Sequence, residues 1–145
     1  MRTWIKITLS LLVLGFITGI VVAYFLYNKP HPNYEKMDAA YTIAAADLYK
    51  DCTANKNQAG TKYNGKVVAV TGKLSKVEVK DSLTTCDFVF EQGMFGDQGV
   101  RCTMLPDNSD LAKKLQPDGE VRLKGYCTGF NETDVILEKC SIIKQ

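Results

Sequence analysis

VRCTMLPDNSDLAKKLQPDGEVRLKGYC, residues 100–127, is the stretch on which the fold turns. Val100, Cys102 and Met104 alternate with Arg101 and Thr103, the period of a strand with one buried face. Residues 107–116 place Leu111 and Leu115 four apart, which predicts a short helix. Pro117-Asp118-Gly119 is turn chemistry. Val121, Leu123, Gly125 and Cys127 then alternate with Arg122, Lys124 and Tyr126, which predicts a further strand.

Outward from this core, the same alternation recurs. Residues 66–80 read as extended: Val68, Val70, Gly72 and Leu74 share one parity, and Val77 and Val79 take the other. A change of parity predicts a bulge or bend near Ser75. Residues 85–91 carry Cys86, Phe88 and Phe90 on one parity, and a glycine-rich turn over 92–99 follows. Beyond Phe130 a turn leads to a last strand over 135–143. The fold class is therefore mainly β. Five strands with a helix between the third and fourth is the order of an OB-fold, a five-stranded, partly open Greek-key barrel. An SH3-like barrel and a two-layer α+β sandwich are the alternatives. A bent first strand suits the barrel, because it can pair on both sides of the closure. Residues 41–63 predict an extra N-terminal helix, with Thr42 as N-cap, Ala44 to Ala46 as strong helix formers, and Leu48, Cys52, Ala59 and Tyr63 on one face.

Ahead of the domain lie twenty-two uncharged residues from Ile7 to Asn28, nearly all apolar, between Lys6 and Lys29. As a helix they cover roughly 33 Å, close to the hydrocarbon thickness of a bilayer. The run is longer than a secretory h-region and ends in Tyr24, Phe25, Leu26 and Tyr27, a poor cleavage context. No cysteine precedes Cys52 to take a lipid. Trp4 at one end and Tyr24 and Tyr27 at the other fit interfacial aromatic belts. Arg2, Lys6 and the terminal amine against Lys29 place the N-terminus in the cytoplasm and the domain outside. The expected layout is a cytoplasmic N-terminus over 1–6, a transmembrane helix over 7–28, a linker over 29–40 and an OB-fold domain over 41–145. His31, the single histidine, sits between Pro30 and Pro32 and reads as part of a solvated spacer rather than as a metal ligand or base.

Charge is read for the domain alone. Arg2, Lys6 and Lys29 are three of the 18 basic residues, which leaves 15 against 16 acidic ones after Pro32. A net of −1 lacks the cationic excess that drives non-specific nucleic-acid binding, so nucleic acid is an unlikely partner on this ground.

Tyr41-Thr42-Ile43, Asp47-Leu48-Tyr49 and Lys62-Tyr63-Asn64-Gly65-Lys66-Val67-Val68-Ala69-Val70-Thr71-Gly72 resemble the opening of the tRNA-anti-like OB-fold family. Val100-Arg101-Cys102-Thr103, the run from Val121 to Phe130 and Val135-Ile136-Leu137-Glu138-Lys139-Cys140 resemble its later strands. The anchor ending in Tyr27-Asn28-Lys29-Pro30 is similar to that of small bacterial members. The resemblance implies the fold and is silent on activity.

Chemistry-bearing residues are sparse. The five cysteines, Cys52, Cys86, Cys102, Cys127 and Cys140, include no CxxC and have no histidine in the domain to partner a metal or raise a thiolate. If Phe88 pairs with Val100, Cys86 faces Cys102 and a disulfide could bridge them; buried, unbridged thiols are the other reading. Asp107, Asp110, Asp118 and Glu120 lack the spacing of a calcium loop and read as a solvated cap and turn. Asn131-Glu132-Thr133 has the N-glycosylation pattern, relevant in a eukaryotic secretory host. Arg101, Arg122, Lys124 and Tyr126, with Phe95 and Phe130 in turns, form the candidate ligand patch, since OB-folds bind oligomers by stacking on exposed rings. No acid/base pair, activated nucleophile or phosphate loop stands out, and no cofactor or metal is expected. The expectation is a non-catalytic binding module, tethered to the bilayer and contacting an envelope protein or a saccharide, with single-stranded nucleic acid as the alternative.

Overall fold

The apolar run forms one helix, α1 (Arg2–Tyr27), whose most apolar window has a mean hydropathy of 2.5. Its 26 residues extend about 39 Å, long and apolar enough to cross a membrane. None of them is buried, and apolar side chains surround the axis. Thr8 and Thr18 turn their hydroxyls inward, donating to Trp4 O at 3.1 Å and Leu14 O at 2.8 Å, so neither of these two is left bare on the apolar surface. The structure is a computed structural model that describes residues 1–29 and 32–144, in two units divided after Pro32. His31 and Pro30, read above as spacer, lie outside the described residues.

The second unit runs β1 (Tyr41–Ala44), α2 (Ala45–Ala54), α3 (Lys56–Tyr63), β2 (Val67–Lys73), β3 (Lys76–Lys80), β4 (Leu83–Gly93), β5 (Gly96–Met104), α4 (Pro106–Ala112), β6 (Glu120–Phe130) and β7 (Asp134–Ile142). All seven strands join one sheet in the order β1-β2-β6-β7-β5-β4-β3. Five ladder steps separate β2 from β3, about 24 Å in a flat sheet at roughly 4.8 Å per step. Yet Leu74 and Ser75 alone connect them, a reach of about 10 Å at most. The sheet must therefore coil until its two flanks approach. The hand-over is visible in the hydrogen bonds. Leu74 N donates to Gly119 O at 2.9 Å on the β6 side, whereas Ser75 N donates to Asp87 O at 2.9 Å on β4. The bend expected near Ser75 is this hand-over.

Two expectations about the fold need correction. The sheet has seven strands rather than five, and it is open: among the described residues no ladder joins β1 to β3. The bent first strand counts as two, and residues 41–44 form a strand instead of a helix start. Tyr41 and Ile43 face the core while Thr42 and Ala44 face out, and β1 pairs parallel to β2 from Tyr41↔Val68 to Ala44↔Thr71. Thr42 is thus not an N-cap; α2 begins at Ala45, with Ala44 at the cap and no side-chain bond. The helix beyond is broken at Asn55, whose side chain accepts from Gln58 N at 3.1 Å and caps α3. The helix between the third and fourth long strands is present as α4, preceded by β5 and followed by β6. Leu48, Cys52, Ala59 and Tyr63 are buried as expected, joining Val68, Val70, Phe88, Val100, Leu123 and Leu137 in one core. The fold is OB-like, with its sheet left open.

Candidate functional site

Strand alternation decides what the outward face of β3, β4 and β5 carries. Cys86 and Phe88 point into the core, so Asp87 between them points out, and the register sets it opposite Lys76 on β3 and Arg101 on β5. Lys76 Nζ lies 2.6 Å from Glu78, 3.0 Å from Asp97 and 3.9 Å from Asp87. Arg101 reaches Asp87 Oδ1 from Nε at 3.5 Å and Asp134 Oδ2 from Nη2 at 3.7 Å. Asp134, at the start of β7, also accepts from Gly99 N at 3.2 Å, which ties the network to the β6–β7 turn. This face and this turn are where OB-folds take their ligands.

Asp87 is the unusual member. Its side chain is 5% exposed, and neither carboxylate oxygen accepts a hydrogen bond. Burial pushes its carboxyl up to about 6; Arg101 and Lys76 oppose that rise, and Glu78 and Asp134 add to it. Glu78, by contrast, is held below the usual carboxylate range by the hydrogen bond and charge of Lys76. Beside the network a cavity of about 310 Å³ opens between Glu78, Lys80, Asp81, Leu83, Thr85 and Arg101.

The six residues named from sequence do not converge. Arg101 belongs to this face. Arg122, Lys124 and Tyr126 lie on β6, which β7 separates from β5. Lys124 and Tyr126 are already engaged by the segment after the first unit. Lys124 Nζ donates to Glu35 O and Met37 O, both at 2.8 Å, and Tyr126 packs on Tyr34 with ring centroids 5.0 Å apart. Lys139 Nζ sits 4.8 Å from the centroid of the Tyr34 ring, and Asn108 Nδ2 donates to Glu35 Oε1 at 3.3 Å. Residues 33–37 are thus a strap fastened to β6, β7 and α4. Phe130 is partly buried against the core, 6.4 Å from Tyr49. Phe95 stands at the tip of the β4–β5 hairpin, where it is 89% exposed beside Met94 at 94%. Phe90, whose parity with Cys86 and Phe88 predicts an inward side chain, is 39% exposed where the ladder slips between Val89 and Glu91, and its ring stacks on Tyr49.

The sequence reading missed Asp87, Asp97 and Asp134. Asp87 carried a signal: the pairing of Phe88 with Val100 that aligns the cysteines also sets Asp87 against Arg101. The strap had none, since its partners lie more than seventy positions away. Cys86 and Cys102 do face each other, as the expected register requires, and both are free, buried thiols. Burial pushes Cys86 up to about 12 and Cys52 and Cys127 up to about 11, while a hydrogen bond with Cys140 and burial raise Cys102. Among the described residues no cluster of three metal-ligating side chains occurs.

A long apolar helix followed by an OB-like sheet defines the class of protein. The chain belongs to the tRNA_anti-like family, whose model matches residues 1–142. Among solved structures it is similar to one described as a candidate nucleic acid-binding lipoprotein from Klebsiella pneumoniae subsp. pneumoniae. Identity is 20% and the TM-score 0.59, over 80% of this chain and all of that one. A candidate aspartyl-tRNA synthetase from Leishmania major Friedlin matches at 12% identity and a TM-score of 0.46, over 88% of this chain and 26% of that one. The Stn1–Ten1 complex of S. pombe matches at 11% and 0.38, over 55% and 59%. The first of these supports the fold; the other two are too distant to carry an argument. No curated protein matches the chain.

Proposed function

We propose that this chain is a membrane-anchored, non-catalytic binding module whose OB-like domain meets a protein or a saccharide outside the cytoplasm through the outward face of β3, β4 and β5. The observation that carries this reading is the ion-paired network on that face. Its carboxylates, Glu78, Asp87, Asp97 and Asp134, outnumber Lys76 and Arg101, a surface suited to mixed or neutral polar partners rather than to a polyanion. The helix α1 supplies the anchor, and the Arg2 and Lys6 charges before it favour a cytoplasmic N-terminus. The similar structure described as a lipoprotein supports membrane association. A non-catalytic role fits the thiols: all five are buried, and burial raises Cys52, Cys86 and Cys127 toward the neutral, poorly nucleophilic form.

A second reading, binding of single-stranded nucleic acid, is favoured by the same structure's description as nucleic acid-binding. The near-neutral charge of the domain therefore does not remove that class. Binding of a labelled oligodeoxythymidylate to the full-length protein in micelles, at about 20 and about 200 mM salt, separates the two. Affinity that falls steeply with salt establishes the second reading; no binding at the lower salt upholds the first.

A further inference from the structure

The strap over residues 33–37 lies on a surface that matches it group by group. Leu123, Gly125 and Cys127 take the buried positions of β6, so Lys124 and Tyr126 between them face out. Tyr34 lays its ring on Tyr126, with 50° between the planes, and Lys139 Nζ stands by the same ring. The next residue is held as well: Asn108 Nδ2 donates to the Glu35 carboxylate, and Lys124 Nζ donates to Glu35 O and Met37 O. In chain order, the surface takes an aromatic ring, then a carboxylate and backbone carbonyls.

Two of these contacts are prepared by the sheet itself. β7 carries one residue more than its neighbours: its ladder moves from Tyr126↔Glu138 to Lys124↔Ser141 on β6, and from Cys102↔Leu137 to Met104↔Cys140 on β5. Lys139, inside that bulge, has a φ of 53°, in the left-handed region that favours glycine. A bulge re-aims a side chain at the cost of backbone strain, and the side chain aimed here is the ammonium at Tyr34. Asn108 is 5% exposed, and its Oδ1 accepts from Ile142 N at 3.2 Å, which fixes the amide with Nδ2 toward Glu35. The strap's own hold is slight. Tyr34 is half-buried and the rest of 33–37 is exposed. The Lys36 and Met37 amides bond back to Asn33 O, and among the described residues the first backbone pairing with the sheet is Ala40 N to Val67 O at 2.8 Å. A segment fastened without a ladder opens more readily than the core.

We propose that this face of β6 and β7 is a binding site for an extended segment of a partner protein in which an aromatic residue is followed by an acidic one, with residues 33–37 as its internal competitor. The strap is the template for that chemistry. With the strap lifted, the face presents the Tyr126 ring, the ammonium groups of Lys124 and Lys139, and an Asn108 amide that has lost its acceptor. Leaving such a donor unmet is costly, so a segment offering the same groups is the fitting replacement. The two ammonium groups favour a carboxylate over a neutral amide at the second position. This site is separate from the outward face of β3, β4 and β5 and does not depend on that face binding a ligand.

The test uses the full chain in detergent micelles, isotopically labelled, with the backbone amides of Lys124, Tyr126 and Lys139 as readout. Two unlabelled probes are added, a peptide of residues 33–37 blocked at both ends and octadeoxythymidylate. Tyr34→Ala opens the strap. Tyr34→Leu, which keeps an apolar cover on Tyr126, replaces it if thermal unfolding shows the first variant unfolded. The expected result is that the peptide moves these amides in the opened chain and binds the parent roughly tenfold more weakly, because the strap holds the site. Adding Lys139→Ala to the opened chain should weaken the peptide several-fold. No peptide shift in the opened chain would overturn the site. Equal affinity for the parent and the opened chain would overturn the competition. Octadeoxythymidylate moving the amides where the peptide does not would keep the face and overturn the protein partner.

Discussion

Asp87 shows how much one side chain can set. Its carboxyl titrates at about 6 in the folded chain against 3.8 when unfolded, so the ionised form is disfavoured by folding. Its stabilising, neutral form is fully present below about pH 3.8, and that contribution is lost as pH rises through about 6. Asp87→Asn is therefore expected to raise stability by about 2 kcal/mol relative to the parent at pH 7.5, and by close to nothing near pH 4. Denaturant unfolding at the two pH values measures it. Gly125 poses the opposite problem. A Cβ there would run into Cys140 Sγ and approach Glu138 O, both on β7, so Gly125→Ala should cost about 1–3 kcal/mol in the same assay. The thiols offer a third check: five should react in denaturant without reductant, and three would mean that one pair had bridged, with Cys86 and Cys102 in register for it.

At the scale of elements, the strap over residues 33–37 and the β4–β5 hairpin behave differently. Removing the Tyr34 ring takes away its packing on Tyr126 and the Lys139 charge over it, worth about 1 kcal/mol together. Tyr34→Ala should accordingly speed proteolytic cleavage within residues 33–37 and leave the core intact. The hairpin tip holds Met94 and Phe95 in water, so Phe95→Ser should change stability by less than about 0.5 kcal/mol. The strands β4 to β7 and the helix α4 were legible in the sequence because period-two alternation and turn residues announce them locally. Residues 41–44 were misread because Thr42 satisfies a helix cap as well as a strand, and the parallel pairing with β2 that decides between them lies more than twenty residues away. Of the site, Arg101 was legible as an outward cation. Its carboxylate partners were not, since alternation shows that Asp87 faces out but not that Lys76 and Arg101 will bury it.

For the whole molecule, the firm sequence reading was the apolar helix, whose length alone matches a bilayer and needs no tertiary context. If the anchor and its orientation are as proposed, the full-length protein stays with membranes after alkaline extraction. An impermeant protease added to spheroplasts should then remove the domain and spare residues 1–27. A chain recovered in the soluble fraction would refute the anchor. Family membership supports the fold, and the proposed choice of partner rests on the charges of this chain.

The join at Leu74 and Ser75 bears on how the chain attains this shape. Hairpins β4–β5 and β6–β7 can zip early, from residues near one another along the chain, while the parallel seam between β5 and β7 must wait for distant segments to meet. The single peptide between Leu74 and Ser75 acts as the clasp of a bracelet. A circular permutant with its ends placed there would retain every rung and lose the one covalent tie that keeps the ring from springing apart.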